Sequence, residues 1–135
     1  MFYLNALTNK HPNKNTMHTY SFEKLEFWHD SRDLIKKIYL ITKKFPDDEE
    51  FGLINQIRRA SISVASNLAE GISRNTNKDR AHFTQLSYSS LMEVMNQLII
   101  SEDLNYLCKN DLNEFRKLVE KISNKLNSLR RTQLK

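Results

Sequence analysis

Only four residues of this chain, Gly52, Gly71, Pro12 and Pro46, are glycine or proline. These two residue types build the tight turns that all-β and α/β folds need at short intervals, so a 135-residue chain this poor in them is restricted to long helices with few connections. The length suits one domain that buries a core without disulfide or metal staples. Cys108 is the single cysteine, which excludes an internal disulfide and suits a reducing compartment. No apolar run approaches the ~20 residues of a membrane span, and no basic-then-apolar leader opens the chain. The expectation is a soluble, cytoplasmic, all-α protein with no membrane segment.

Residues 1–20 are polar, rich in Asn, Thr and Lys and interrupted by Pro12, and they read as a flexible tail in which Met17 is a second candidate start beside Met1. Residues 21–135 read as one domain of four helices. Ser21, followed by Glu23 and Glu26, has the pattern of an N-cap for a first helix running to about Phe45. Its inward stripe is Leu25, Trp28, Ile35, Ile38, Thr42 and Phe45, with Arg32 on one step. Pro46 ends this helix, and the acidic run 47–50 caps a second one from about Glu49 to Glu70, for which Gly71 is the expected C-cap. Between residues 60 and 69, Ala60, Ser61, Ser63, Ala65, Ser66 and Ala69 keep the side chains short, which allows close contact between helices. Asn75, Thr76 and Asn77 are candidate caps for a third helix over 77–104. There, Tyr88, Met92, Met95 and Ile100 widen the inward stripe beyond what one core needs, predicting surface buried against another subunit. A fourth helix follows Cys108. Short connections favour an up-down-up-down antiparallel four-helix bundle.

Catalysis needs a nucleophile, a base or a metal constellation, and none stands out. The histidines are scattered without ligand spacing, His29 beside Asp30 and Asp33 could orient a metal at best, and no glycine-rich phosphate loop exists. The pattern predicts no catalytic residue, no metal and no cofactor, and so no enzyme. Gln56, Arg59, Asn67 and Glu70 read as a structural polar cluster near the turn between helices 2 and 3, with Arg59 paired to Glu70 or another acid and Arg58 more exposed.

The formal net charge is +5, and all of the excess lies in residues 108–135, where 8 Lys and Arg face 3 Asp and Glu. Such an excess suits a polyanion. The candidate nucleic-acid contacts are Arg58, Arg74, Lys78, Arg80, Lys117, Lys121, Lys125, Arg130 and Arg131, with Lys117, Lys121 and Lys125 forming an i, i+4 stripe. Few aromatic residues stand among them, so base stacking finds no support and little sequence specificity is expected. The alternative is a protein-interaction scaffold without direct nucleic-acid binding.

Read together, Phe45-Pro46, Phe51-Gly52-Leu53, Gln56-Ile57-Arg58-Arg59-Ala60 and Ser66-Asn67-Leu68-Ala69-Glu70-Gly71 resemble the bacterial 23S rRNA intervening-sequence protein family, also described as ribosomal-protein-like. Leu25, Trp28, Arg74, Phe83, Ser90-Leu91, Glu93 and Asn105-Tyr106-Leu107 extend the resemblance over about residues 20 to 130. The family pattern departs at Val64-Ala65, where proline is usual, and at Ser89-Ser90, where Gly-Ser is usual. The resemblance implies a left-handed antiparallel bundle assembling as a ring-like homopentamer with a basic surface and no recognised catalytic activity. It also implies relatives, the accessory variability determinants of diversity-generating retroelements, that bind a reverse transcriptase and nucleic acid.

Overall fold

A computed structural model describes residues 17–135; the remainder of the expected tail, residues 1–16, lies outside them. Four helices carry the described chain: α1 (Glu26–Thr42), α2 (Asn55–Ile72), α3 (Asn77–Asp103) and α4 (Lys109–Gln133). Strands are absent among the described residues. Each helix packs against its neighbour in the chain, and α1 closes against α4.

The helix starts show how the local chemistry differs from the pattern. Ser21 opens only a short 3-10 turn, Ser21–Lys24, and α1 begins after Leu25, which supplies no side-chain cap. The inward face of α1 is Ser31, Leu34, Ile38 and Thr42, whereas Ile35 is only half-buried. A serine can stand there because Ser31 Oγ donates to the Phe27 carbonyl at 2.8 Å, so its hydroxyl enters the core already satisfied. Arg32 turns outward instead and lies over the Trp28 ring at 5.0 Å.

Between α1 and α2 the chain makes a 3-10 turn, Asp47–Glu49, then a π turn, Glu50–Ile54, whose helical course breaks at Gly52 (φ −107°, ψ −112°). The second helix therefore starts later than the acidic run suggests. Glu49 spans the break, accepting from the Leu53 N–H at 3.3 Å and from the Tyr106 hydroxyl at 2.9 Å. Gly71 is not the expected left-handed cap: no glycine has positive φ, and Gly71 lies buried in the last turn of α2. A Cβ there would meet the Phe83 Cβ at 2.7 Å, so the missing side chain is what lets α3 approach α2. Thr76 caps α3, accepting from the Asp79 N–H at 3.1 Å, and Cys108 Sγ accepts from the Asp111 N–H at the start of α4.

Leu34, Ile38, Ile57, Val64, Leu68, Leu91, Val94, Leu98, Ile122 and Leu126 form the fully buried centre, drawn from all four helices. Burial of each such side chain contributes roughly 1.5–3 kcal/mol. The α2–α3 seam adds polar stitches: Ser87 Oγ donates to the Val64 carbonyl at 2.7 Å, and Ser90 Oγ to Ser63 Oγ at 2.9 Å. Tyr88, Met92 and Met95 pack partly against this same core, which leaves Leu86 and Ile100 as the large apolar side chains most open on α3. The outward apolar surplus of α3 is thus narrower than its composition suggests.

Candidate nucleic-acid interface

Antiparallel packing sorts charge by bundle end. At one end lie the α1–α2 and α3–α4 connections, tied by the Tyr106–Glu49 bond, where Asp47, Asp48, Glu50, Glu102, Asp103 and Asp111 outnumber Lys43, Lys44 and Lys109. At the other end lie the α2–α3 connection and the last turns of α4. There Thr84 Oγ1 donates to Gln133 Oε1 at 2.8 Å, and this buried bond sets the end of α4 against the first turns of α3. Arg80 stands one turn before Thr84 and Arg130 one turn before Gln133, so two charged segments about 50 residues apart in the chain meet.

The α2–α3 connection is closed by one of its own arginines. Arg80 Nε donates to the Arg74 carbonyl at 2.8 Å and Arg80 Nη1 to Asn77 Oδ1 at 3.0 Å, which closes the connection. The Arg74 guanidinium lies over the Phe83 ring at 4.5 Å, and its N–H groups have no acceptor among the described residues. Lys78 is exposed in the first turn of α3. On α4, Arg130 is half-buried with its Nε unpartnered among the described residues, and exposed Arg131 donates to Ser128 Oγ at 3.2 Å. Glu70 and Asp79 are the acids of the α2–α3 corner.

The lysine stripe of α4 has a different setting. Lys125 Nζ sits 2.7 Å from Glu26 and 3.2 Å from Asp30, and Lys121 Nζ 3.3 Å from Asp30 and 3.8 Å from Glu26. The hydrogen bond and charge of Lys125 hold the Glu26 carboxyl below its ordinary range, and the bond that Lys125 donates to Glu26 raises the Lys125 ammonium above its own. Exposed Lys117 pairs with Glu114 at 3.4 Å. Lys121 and Lys125 therefore clasp α1 to α4 instead of forming, with Lys117, a free cationic stripe.

The two arginines of α2 also exchange their expected places. Arg58 is the half-buried one: its Nε donates to Thr42 Oγ1 at 2.9 Å, and its guanidinium lies over the Tyr39 ring at 4.5 Å. Arg59 is exposed and makes no ion pair among the described residues. The reason is reach, since α1 offers Arg58 an aromatic face and a hydroxyl, while Glu70 lies three turns along α2 from Arg59. The expected polar cluster is dispersed. Gln56 accepts from Gln97 at 3.5 Å, Asn67 donates to the Ser63 carbonyl and hydroxyl at 3.0 and 2.9 Å, and Glu70 is exposed.

A profile of the 23S rRNA-intervening sequence protein matches residues 23–128. The chain belongs to that family. Its fold is also that of a crystallised protein of unknown function from the S23 ribosomal protein family of Bacteroides thetaiotaomicron. The TM-score is 0.70 at 17% identity, covering 76% of this chain and 96% of that one. No curated protein matches the chain. Among the described residues of this family member, no three His, Cys, Asp or Glu side chains gather as a metal site, and no helix is long and apolar enough to cross a membrane.

Proposed function

We propose that this 23S rRNA-intervening sequence protein is a non-catalytic, cytoplasmic nucleic-acid-binding module whose basic end grips phosphates. The observation that carries the reading is the Thr84–Gln133 bond, which brings the last turn of α4, with Arg130 and Arg131, to the end of the bundle that carries Arg74, Lys78 and Arg80, while the acidic connections lie at the other end. Phosphate contacts of this kind position a polyanion without reading its sequence, so RNA and DNA both serve as ligands. A ring-like homopentamer, as the family resemblance implies, would repeat the basic end and raise avidity wherever a strand reaches several copies. A reverse transcriptase partner belongs to the retroelement relatives.

The test is the salt dependence of RNA affinity. Five phosphate contacts predict a log–log slope of about −4, and replacing Lys78, Arg130 and Arg131 with glutamine lowers its magnitude by about 2 to 3. Lys121→Gln with Lys125→Gln is the control, expected to leave the slope nearly unchanged. Absence of salt-sensitive binding near physiological ionic strength refutes the reading and favours the protein-scaffold alternative. Light scattering tests the assembly: a particle of about five chains is expected, and a monomer at micromolar concentration rejects it.

A further inference from the structure

We propose that the cleft between Tyr39, Phe51 and Arg59 receives one unpaired nucleotide of a single-stranded nucleic acid. The base lies on the Phe51 ring and a flanking phosphate on Arg58 and Arg59. This goes beyond the nucleic-acid reading above, on which it rests, by adding a second site at the opposite, acidic end of the bundle and a preference for single strands.

Phe51 is 89% exposed, the most exposed of the chain's described large apolar side chains. The break at Gly52 is what puts it there: Ile54 turns into the core and Leu53 packs against it, while the ring before the glycine stands in water. Beside it opens a cleft of about 400 Å³ whose walls include Tyr39, Arg58 and Arg59. Arg58 is held face-on against Tyr39 by the bond to Thr42 and a second one from Nη2 to the Tyr39 carbonyl at 3.4 Å. A guanidinium fixed in this way, half-buried and without a carboxylate partner among the described residues, is preorganised for an external anion. Arg59 adds a second, exposed cation.

The nearby acids narrow the ligand. Glu50 lines the same cleft, and Asp47 and Asp48 precede it, so a duplex laid across this end would bring two phosphate chains against carboxylates. A splayed nucleotide instead offers an uncharged base to the ring and one phosphate to the arginines, as single-strand binders that stack bases on aromatic side chains do.

The experiment compares fluorescein-labelled oligouridylate with an RNA duplex of equal length, using the full chain, Phe51→Ala and Phe51→Trp, with circular dichroism to confirm folding. Phe51→Ala is expected to lose about 5- to 100-fold in oligouridylate affinity. Duplex affinity and the salt slope stay unchanged, because the ring carries no charge, and Phe51→Trp restores binding. If the wild type binds both RNAs and Phe51→Ala binds oligouridylate equally well, this site is overturned while the basic-end reading stands. If the wild type binds neither, the basic-end reading falls and takes this inference with it. A smaller particle for Phe51→Ala by light scattering also overturns it, since the ring is then covered by a second copy.

Discussion

Gly71→Ala separates two opposite physical roles of a helical glycine. Alanine is the better helix former by about 1 kcal/mol, and Gly71 lies within α2 without positive φ, so local propensity alone predicts stabilisation. Packing predicts the reverse. The new Cβ would stand 2.7 Å from the Phe83 Cβ and 3.5 Å from the Arg80 carbonyl oxygen. Carbon atoms rest at about 3.5–4.0 Å, so the gap must widen by roughly 1 Å. A Cβ cannot rotate away from its own backbone, which means α3 itself must move. Overpacking of this kind costs about 1–3 kcal/mol, leaving a net loss of up to about 2 kcal/mol once the propensity gain is subtracted. For a domain of this size that is a fall of several degrees in Tm, read by thermal circular dichroism. Gly71→Asn sharpens the comparison: asparagine is tolerated at a left-handed C-cap, but against Phe83 it must be worse than alanine. A Tm that rises in Gly71→Ala, or an asparagine variant more stable than the alanine one, refutes the close-approach argument.

Arg58→Ala removes the Tyr39 stack and the Thr42 bond, and a stability loss of about 1 kcal/mol is expected in urea titration, with Arg59→Ala near zero. An equal loss for both refutes the assignment of Arg58 as the residue that braces α1 against α2. The Glu26, Asp30, Lys121 and Lys125 clasp makes a signed pH prediction. A depressed Glu26 pKa adds stability above the ordinary value of 4.5 that is lost as pH falls through the folded value, and a raised Lys125 pKa adds stability below 10.5 that is lost as pH rises past its folded value. Stability from this pair is therefore flat across neutral pH and drops on acidification. Lys121→Gln with Lys125→Gln should reduce that drop, and added salt should narrow the difference from wild type. An acid limb as steep in the double variant as in wild type refutes the clasp.

What the chain's letters reveal about this bundle depends on whether the deciding contact is local. Helix number and order follow from apolar period and Pro46, which act within a turn or two, and Thr76 caps α3 as expected, whereas the caps expected at Ser21 and at Gly71 do not form and Glu49, in the acidic run 47–50, caps the π turn and not α2. The inward face of α1 was less legible, because Ser31 enters the core by bonding its own helix and thereby hides one step of the stripe. Gly71 illustrates the next level: a glycine at a helix end reads as a cap until the facing residue, Phe83, is known. Charge is the least legible, since the basic excess of α4 is a property of composition while its availability is a property of closure. The same packing that draws Lys121 and Lys125 onto Glu26 and Asp30 also sets Arg130 and Arg131 beside the Arg74–Arg80 corner. An i, i+4 stripe therefore could not distinguish lysines that hold α1 from cations left to meet a ligand. Phe51 was hidden for a related reason, because an aromatic in a helical segment reads as core until the break at Gly52 turns it out. The contacts that decide which cations stay free are thus those that only bundle closure sets. On that account Gln133→Ala, which removes the partner of Thr84 with every arginine in place, should loosen the end of α4 and weaken RNA affinity a few-fold in a fluorescence titration, and an unchanged affinity refutes the coupling.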